Sequence, residues 1–133
     1  MKKRPTTAVK DLTVFVAEDD FEMRSLMVTA LQARCYSTQE AGDGGRLLEL
    51  LEAARAARQP PALIVCDIRM PVTGGLAVLK TVREWGWDVP FVMITAFGSE
   101  QTLTQAVHCG ASAVLSKPFE LEDLCTTVHY LVR

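Results

Sequence analysis

The chain has 133 residues, 49% apolar and 23% charged, with a net charge of −2 and a pI near 5.7. That is enough chain for one core, too apolar for disorder, and without the basic excess that nucleic-acid binding asks for. No run of about 18 apolar residues offers a membrane span, and no apolar stretch follows the basic N-terminus as in a signal peptide, so a cytoplasmic protein is expected.

In chain order, residues 1–10, with Lys2, Lys3 and Arg4, read as a flexible polar tail ahead of one domain over 11–133. An apolar run over 12–17 predicts the first strand, followed at once by Glu18, Asp19 and Asp20. Phe21, Met23, Leu26, Met27, Ala30 and Leu31 recur at helical spacing, with Asp20 as N-cap. The mixed polar stretch 36–40 suits a sheet-edge strand. Gly42, Asp43, Gly44 and Gly45 then lead into a second helix carrying Leu47, Leu48, Leu50, Leu51 and Ala54, ended by Gln59, Pro60 and Pro61. A third strand over 62–66 places Cys66 in the core and is followed by Asp67.

The third helix runs from about Leu76 to Trp85 and is stopped by Gly86. The run 90–94 predicts a fourth strand, followed by Thr95. A fourth helix over 99–108 has Gly110 past its end as a cap. The fifth strand, 113–116, precedes Lys117. The last helix starts near Glu120 with Leu121, Leu124, Cys125, Val128 and Leu131 on one side. The four cysteines match neither a C-x-x-C pair nor a zinc spacing and are expected as thiols. His108 and His129, without a second ligand one turn away, read as surface or structural residues.

Five strands alternating with five helices predict an α/β domain, a doubly wound parallel sheet with right-handed crossovers. Ligands of such sheets bind beyond the carboxyl ends of the strands. Polar residues stand just past four of those ends: Glu18 and Asp19, Asp67, Thr95, and Lys117. Singly each is an ordinary cap, turn residue or solvated edge. Together, three converging carboxylates repel one another unless a hard cation joins them, and few protein oxygens plus water suit Mg²⁺. A carboxylate, Mg²⁺, a lysine and a hydroxyl form a site for holding a phosphoryl group, and an aspartate there can be its acceptor.

The segments 14–24 (VFVAEDDFEMR), 65–71 (VCDIRMP), 94–98 (ITAFG) and 116–119 (SKPF) resemble, in order and spacing, the four blocks of response-regulator receiver domains. The resemblance implies a flavodoxin-like (βα)₅ fold with strand order 2-1-3-4-5 and Asp67 as phosphoacceptor. It implies Asp19 and Asp67 as direct Mg²⁺ ligands, with the backbone carbonyl of Arg69, and Glu18 acting through water. Thr95, Ala96 and Lys117 are implied to bind the phosphoryl group, and the Lys117–Pro118 bond to be cis. One position departs from the pattern: Val114 stands where receivers usually carry a Tyr or Phe switch. Arg69 and Phe97 are implied to border the approach of hydrolytic water. The implied partners are a sensor histidine kinase or phosphotransfer protein and a downstream effector or output domain. A homodimer through the fourth helix, fifth strand and fifth helix is a further option. No membrane, no direct nucleic-acid contact and no enzyme activity beyond its own phosphorylation chemistry are expected.

Rival readings fare worse on particular residues. A haloacid-dehalogenase-type phosphatase needs an acid two residues after the nucleophile, where Arg69 stands. A flavodoxin needs a phosphate loop where Glu18, Asp19 and Asp20 would repel phosphate. A P-loop run is missing. The remaining alternative is a receiver-like interaction module that works without phosphate; its usual sign is loss of the acceptor, the acids or the lysine, and all are present.

Overall fold

The computed structural model describes residues 12–96 and 100–132. The strands are β1 Thr13–Ala17, β2 Ser37–Ala41, β3 Leu63–Asp67, β4 Phe91–Thr95 and β5 Ala113–Ser116. The helices are α1 Phe21–Ala33, α2 Gly44–Ala56, α3 Gly75–Glu84, α4 Glu100–His108 and α5 Leu121–Val132. All strand pairs are parallel, in the order β2-β1-β3-β4-β5, so the doubly wound, flavodoxin-like architecture is observed as expected.

The apolar runs make strands because both faces of the sheet are covered. Val14, Val16, Val65, Val92 and Ile94 point to one side, where Met27 and Leu31 of α1 and Leu124 and Val128 of α5 pack. Phe15, Ile64, Cys66 and Met93 alternate to the other side, against Leu47 and Leu51 of α2, Val78 and Leu79 of α3, and Ala106 of α4. The polar β2 lies at the edge, its residues Ser37, Gln39 and Glu40 exposed.

Four helices end the same way. After α1, α2, α3 and α4, one residue at positive φ closes the helix: Cys35 (72°), Arg58 (57°), Gly86 (83°) and Gly110 (103°). In each case the next amide reaches five residues back, as in Tyr36 N–H to Leu31 O at 3.2 Å and Ala111 N–H to Ala106 O at 3.0 Å. This satisfies carbonyls the helix would otherwise leave bare. The last of these ends is held from outside as well. The Arg83 guanidinium donates to Gly110 O through Nε (3.2 Å) and Nη2 (2.9 Å), and to Trp87 O through Nη1 (2.7 Å).

Three expectations need correction or a limit. Phe21 (68% exposed) and Leu26 (54%) are outside the core, because the buried stripe of α1 runs through Met27, Val28 and Leu31. The third and fourth strands extend one residue past their apolar runs, to Asp67 and Thr95. The tail over 1–10, Phe97 and the Ser99 helix start lie outside the described residues. All four cysteines are free thiols, and His108 and His129 are exposed.

Candidate functional site

The order of the strands reverses at β1, which is flanked by β2 on one side and β3 on the other. The crevice beyond the carboxyl ends of β1 and β3 is therefore where the topology places a ligand. Glu18 and Asp19 follow β1 directly, Asp67 is the last residue of β3, Thr95 the last of β4, and Lys117 follows β5. The apolar strands carry these polar residues to one rim because their ladders continue past the apolar runs. Ile68 N–H donates to Ile94 O at 2.8 Å, and Lys117 N–H to Thr95 O at 2.7 Å.

One carboxylate oxygen from each of Glu18, Asp19 and Asp67 lies within 4.8 Å of the others. Glu18 is fully buried, Asp67 is 4% exposed, and Asp19 faces solvent. The ammonium of Lys117 stands between the two buried acids, 2.7 Å from Asp67 Oδ2 and 2.9 Å from Glu18 Oε1. Only the first contact is a hydrogen bond. Glu18 Oε1 is close enough for an ion pair, yet no donor is aligned with it, and it is the one buried side-chain oxygen among the described residues left so. The other Glu18 oxygen accepts from Asp20 N–H at 3.1 Å, and Asp67 Oδ1 accepts from Arg69 N–H at 2.9 Å.

Electrostatics follow from this packing. Burial pushes the Glu18 carboxyl above its ordinary range; Lys117 and the Asp20 amide oppose that, and Asp19 and Asp67 add to it. Burial also pulls Lys117 down, but its hydrogen bond to Asp67 and its close ion pair with Glu18 outweigh this and hold it above the usual lysine value. One ammonium faces three carboxylates, so the pocket keeps an excess of negative charge. An all-oxygen donor set, a charge deficit and an oxygen with no aligned donor fit a small hard dication such as Mg²⁺. The neighbouring Cys66 thiol is fully buried and pushed up by burial, then by Asp67 and Glu18, which leaves it an inert core residue.

Of the other residues singled out in the sequence, Thr95 is nearly buried at the same rim and Ala96 is exposed beside it. The Arg69 side chain is exposed. The Lys117–Pro118 bond is cis and Pro118 is exposed. Val114 is not at the rim; it packs half-buried against the core under α2, α3 and α4. Sequence reasoning missed Arg24, which donates through Nη1 to Glu18 O at 2.6 Å and pairs through Nε with Glu40 at 3.0 Å. A lone arginine on an amphipathic helix carries no local sign of such bonds.

The loop from Asp67 to Gly75 is wedged between helix starts. Gly44 N–H donates to Pro71 O at 3.2 Å, and Gly75 N–H to Ile68 O at 2.9 Å. Between them Val72 is 83% exposed at φ 72°, in a tight turn closed by Thr73 N–H to Pro71 O at 2.8 Å. A Cβ at Gly44 would fall 1.7 Å from Thr73 O, whereas one at Gly74 would meet only Ile68 O at 3.6 Å. Gly44→Ala is therefore expected to lose about 3 kcal/mol in urea unfolding, and Gly74→Ala to stay within about 0.5 kcal/mol of wild type. Equal stability of the two variants would contradict this packing.

Among the described residues, no helix is long and apolar enough to cross a membrane. The model of the response regulator receiver domain matches residues 14–129. Response regulator MprA of Mycobacterium leprae is 32% identical over 122 residues, covering 92% of this chain and 51% of that protein. The chain thus spans about half the length of the curated relatives it matches. Among solved structures, the receiver domain of the Francisella response regulator 1452 matches with a TM-score of 0.82 at 26% identity, covering 91% of this chain and 96% of that one. Chemotaxis response regulator CheY4 of Vibrio cholerae matches with a TM-score of 0.77 at 28% identity, covering 90% and 98%. Together with the sheet order and the acidic rim, these matches show that the chain belongs to the response-regulator receiver domains of two-component signalling.

Proposed function

We propose that this receiver domain accepts a phosphoryl group on Asp67 from a sensor histidine kinase or phosphotransfer protein, in a Mg²⁺-dependent reaction, and thereby switches its contacts with an effector or output domain. The observation that carries the reading is the grouping of Glu18, Asp19 and Asp67 within 4.8 Å, with the Lys117 ammonium 2.7 Å from Asp67.

In this reading an Asp67 carboxylate oxygen attacks phosphorus. The bond from phosphorus to the donor's imidazole nitrogen breaks, and its electron pair stays with that nitrogen. The Lys117 ammonium, already against Asp67, turns to the phosphoryl oxygens, and the Thr95 hydroxyl and Ala96 amide donate to others. Asp19, Asp67, the Arg69 carbonyl and, through water, Glu18 would hold Mg²⁺, whose charge there would offset that of the phosphoryl oxygens. Arg69 would border the path of hydrolytic water, and the chain would act on no substrate besides its own phosphoryl group. Pro118 and Val114 belong to the response that follows, with the stiff, β-branched side chain of Val114 in place of a bulky switch ring.

In this reading the receiver unit spans 11–133 of a cytoplasmic protein. For partners or a second copy, the surface of α4, β5 and α5 is favoured by two exposed apolar side chains, Val107 (64%) on α4 and Tyr130 (68%) on α5.

The test is labelling by acetyl phosphate, read by intact mass. With Mg²⁺ one phosphoryl group per chain is expected, and with excess chelator none. Full labelling in chelator contradicts the scheme, and no labelling under any condition favours the phosphate-independent module.

A further inference from the structure

Arg24 lies at the first turn of α1, with its side chain 16% exposed. Its guanidinium is held on three sides. Nη1 donates to the Glu18 carbonyl at 2.6 Å, Nε pairs with Glu40 Oε1 on β2 at 3.0 Å, and the group stands 5.4 Å from the centre of the Phe21 ring. Gly42 leaves it room, since a Cβ there would come within 3.2 Å of Nη1.

The Glu18 carbonyl and the Asp19 amide belong to one rigid peptide plane. Fixing that oxygen fixes the direction in which the chain enters Asp19 and leaves Glu18. The other bonds of the segment act on the same short stretch: Glu18 N–H donates to Ala41 O at 3.1 Å, and Asp20 N–H to the Glu18 carboxylate at 3.1 Å. Arg24 supplies the only charged donor to this backbone among the bonds described.

We infer that Arg24 is a positioning residue for the cation site: it pins the peptide joining Glu18 to Asp19 and so sets their carboxylates, without spending its charge on them. Lys117 does the opposite, since its ammonium sits on Glu18 and Asp67 themselves. Arg24 turns to a carbonyl and to Glu40, which lies outside the acidic trio. The inference rests on the Mg²⁺ reading given above.

Two effects of removing Arg24 have opposite signs, which makes the idea testable. If the arginine were only a nearby positive charge, its loss would tighten binding of a dication to the acids. If it positions the acids, its loss weakens binding, as loss of an outer support of metal ligands does. The experiment is Mg²⁺ titration of the metal-free chain, followed by backbone amide shifts, with thermal unfolding in chelator as the check on folding. Arg24→Gln is expected to bind Mg²⁺ about tenfold more weakly. Arg24→Lys, which keeps the charge but gives up the two-pronged fork, is expected to lose about threefold. Glu40→Gln keeps the bond to the carbonyl and is expected to stay within about twofold of wild type.

Wild-type or tighter affinity in either folded arginine variant overturns the inference, and if Arg24→Gln does not fold, Arg24→Lys decides alone. A loss in Glu40→Gln as large as in Arg24→Gln also overturns it, because the effect would then belong to the ion pair with β2. If the wild-type chain itself shows no Mg²⁺-dependent shifts, it is the cation reading that fails, and the two failures are thereby told apart.

Discussion

Asp67→Asn is expected to take up no phosphoryl group from acetyl phosphate while keeping the wild-type fold. The carboxylate is the only one at the end of β3, and an amide oxygen in its place is too weak a nucleophile toward phosphorus. Stability in chelator is expected to change by no more than about 1 kcal/mol, because two effects oppose each other. The 2.7 Å bond to Lys117 is lost, yet the ammonium keeps Glu18 at 2.9 Å and is not orphaned. At the same time one negative charge leaves a crowded group of three. The Arg69 amide can still donate to the asparagine oxygen. Intact mass and urea unfolding read the two parts separately. Labelling at wild-type stoichiometry would remove Asp67 from the acceptor role.

Lys117→Ala is expected to be the costlier change for the fold. It strips the cation from Glu18, which is fully buried, and from Asp67, which is nearly so. Breaking a buried pair from one side leaves uncompensated charge in low dielectric, at a cost of about 3–5 kcal/mol. Lys117 is 24% exposed and the carboxyls can take up protons, so the lower end, about 3 kcal/mol, is expected in chelator. Saturating Mg²⁺ should restore part of this, since a ligand of the native state alone stabilises it. The cation loses a competitor for Glu18 and Asp67, so its affinity should hold or rise. The beryllofluoride-induced amide shifts, by contrast, should largely vanish, because the ammonium that meets the phosphoryl oxygens is gone. Wild-type stability in chelator, or an unchanged beryllofluoride response, would count against this role of Lys117.

Much of this architecture can be read from the chain because burial on both faces leaves a plain mark. Ile64, Val65 and Cys66, or Val92, Met93 and Ile94, are apolar without alternation, and only a covered parallel strand needs that. The same cause explains the errors at strand ends. Asp67 and Thr95 are polar, so the apolar runs stop short of them, but the ladder is made by backbone groups and continues to Ile68 and Lys117. Gly86 and Gly110 advertise helix ends; Cys35 and Arg58 do the same work at positive φ without the residue type that signals it. Phe21 and Leu26 are apolar yet outward, which composition alone cannot separate from the core-facing Met27 and Leu31. For the site, the four rim positions were legible because each follows an apolar run. The fork of Arg24 was not, since its partners Glu18 and Glu40 are far apart in sequence and meet only once β1 and β2 pair.

The arginine clamp at the end of α4 has a mechanical meaning. Arg83 grips Gly110 O with two donors and Trp87 O with a third, so the carboxyl end of α4 is tied to the frame formed by α3 and the turn before β4. At the other end of α4, the Thr104 hydroxyl donates to the Glu100 carbonyl at 2.9 Å, a bond within the helix itself. Nine residues of helix span about 13 Å, so a tilt of about 10° with its fulcrum at Gly110 carries Glu100 through about 2 Å and leaves His108 almost still. Any tilt about the clamp is therefore largest at Glu100 and fades toward His108.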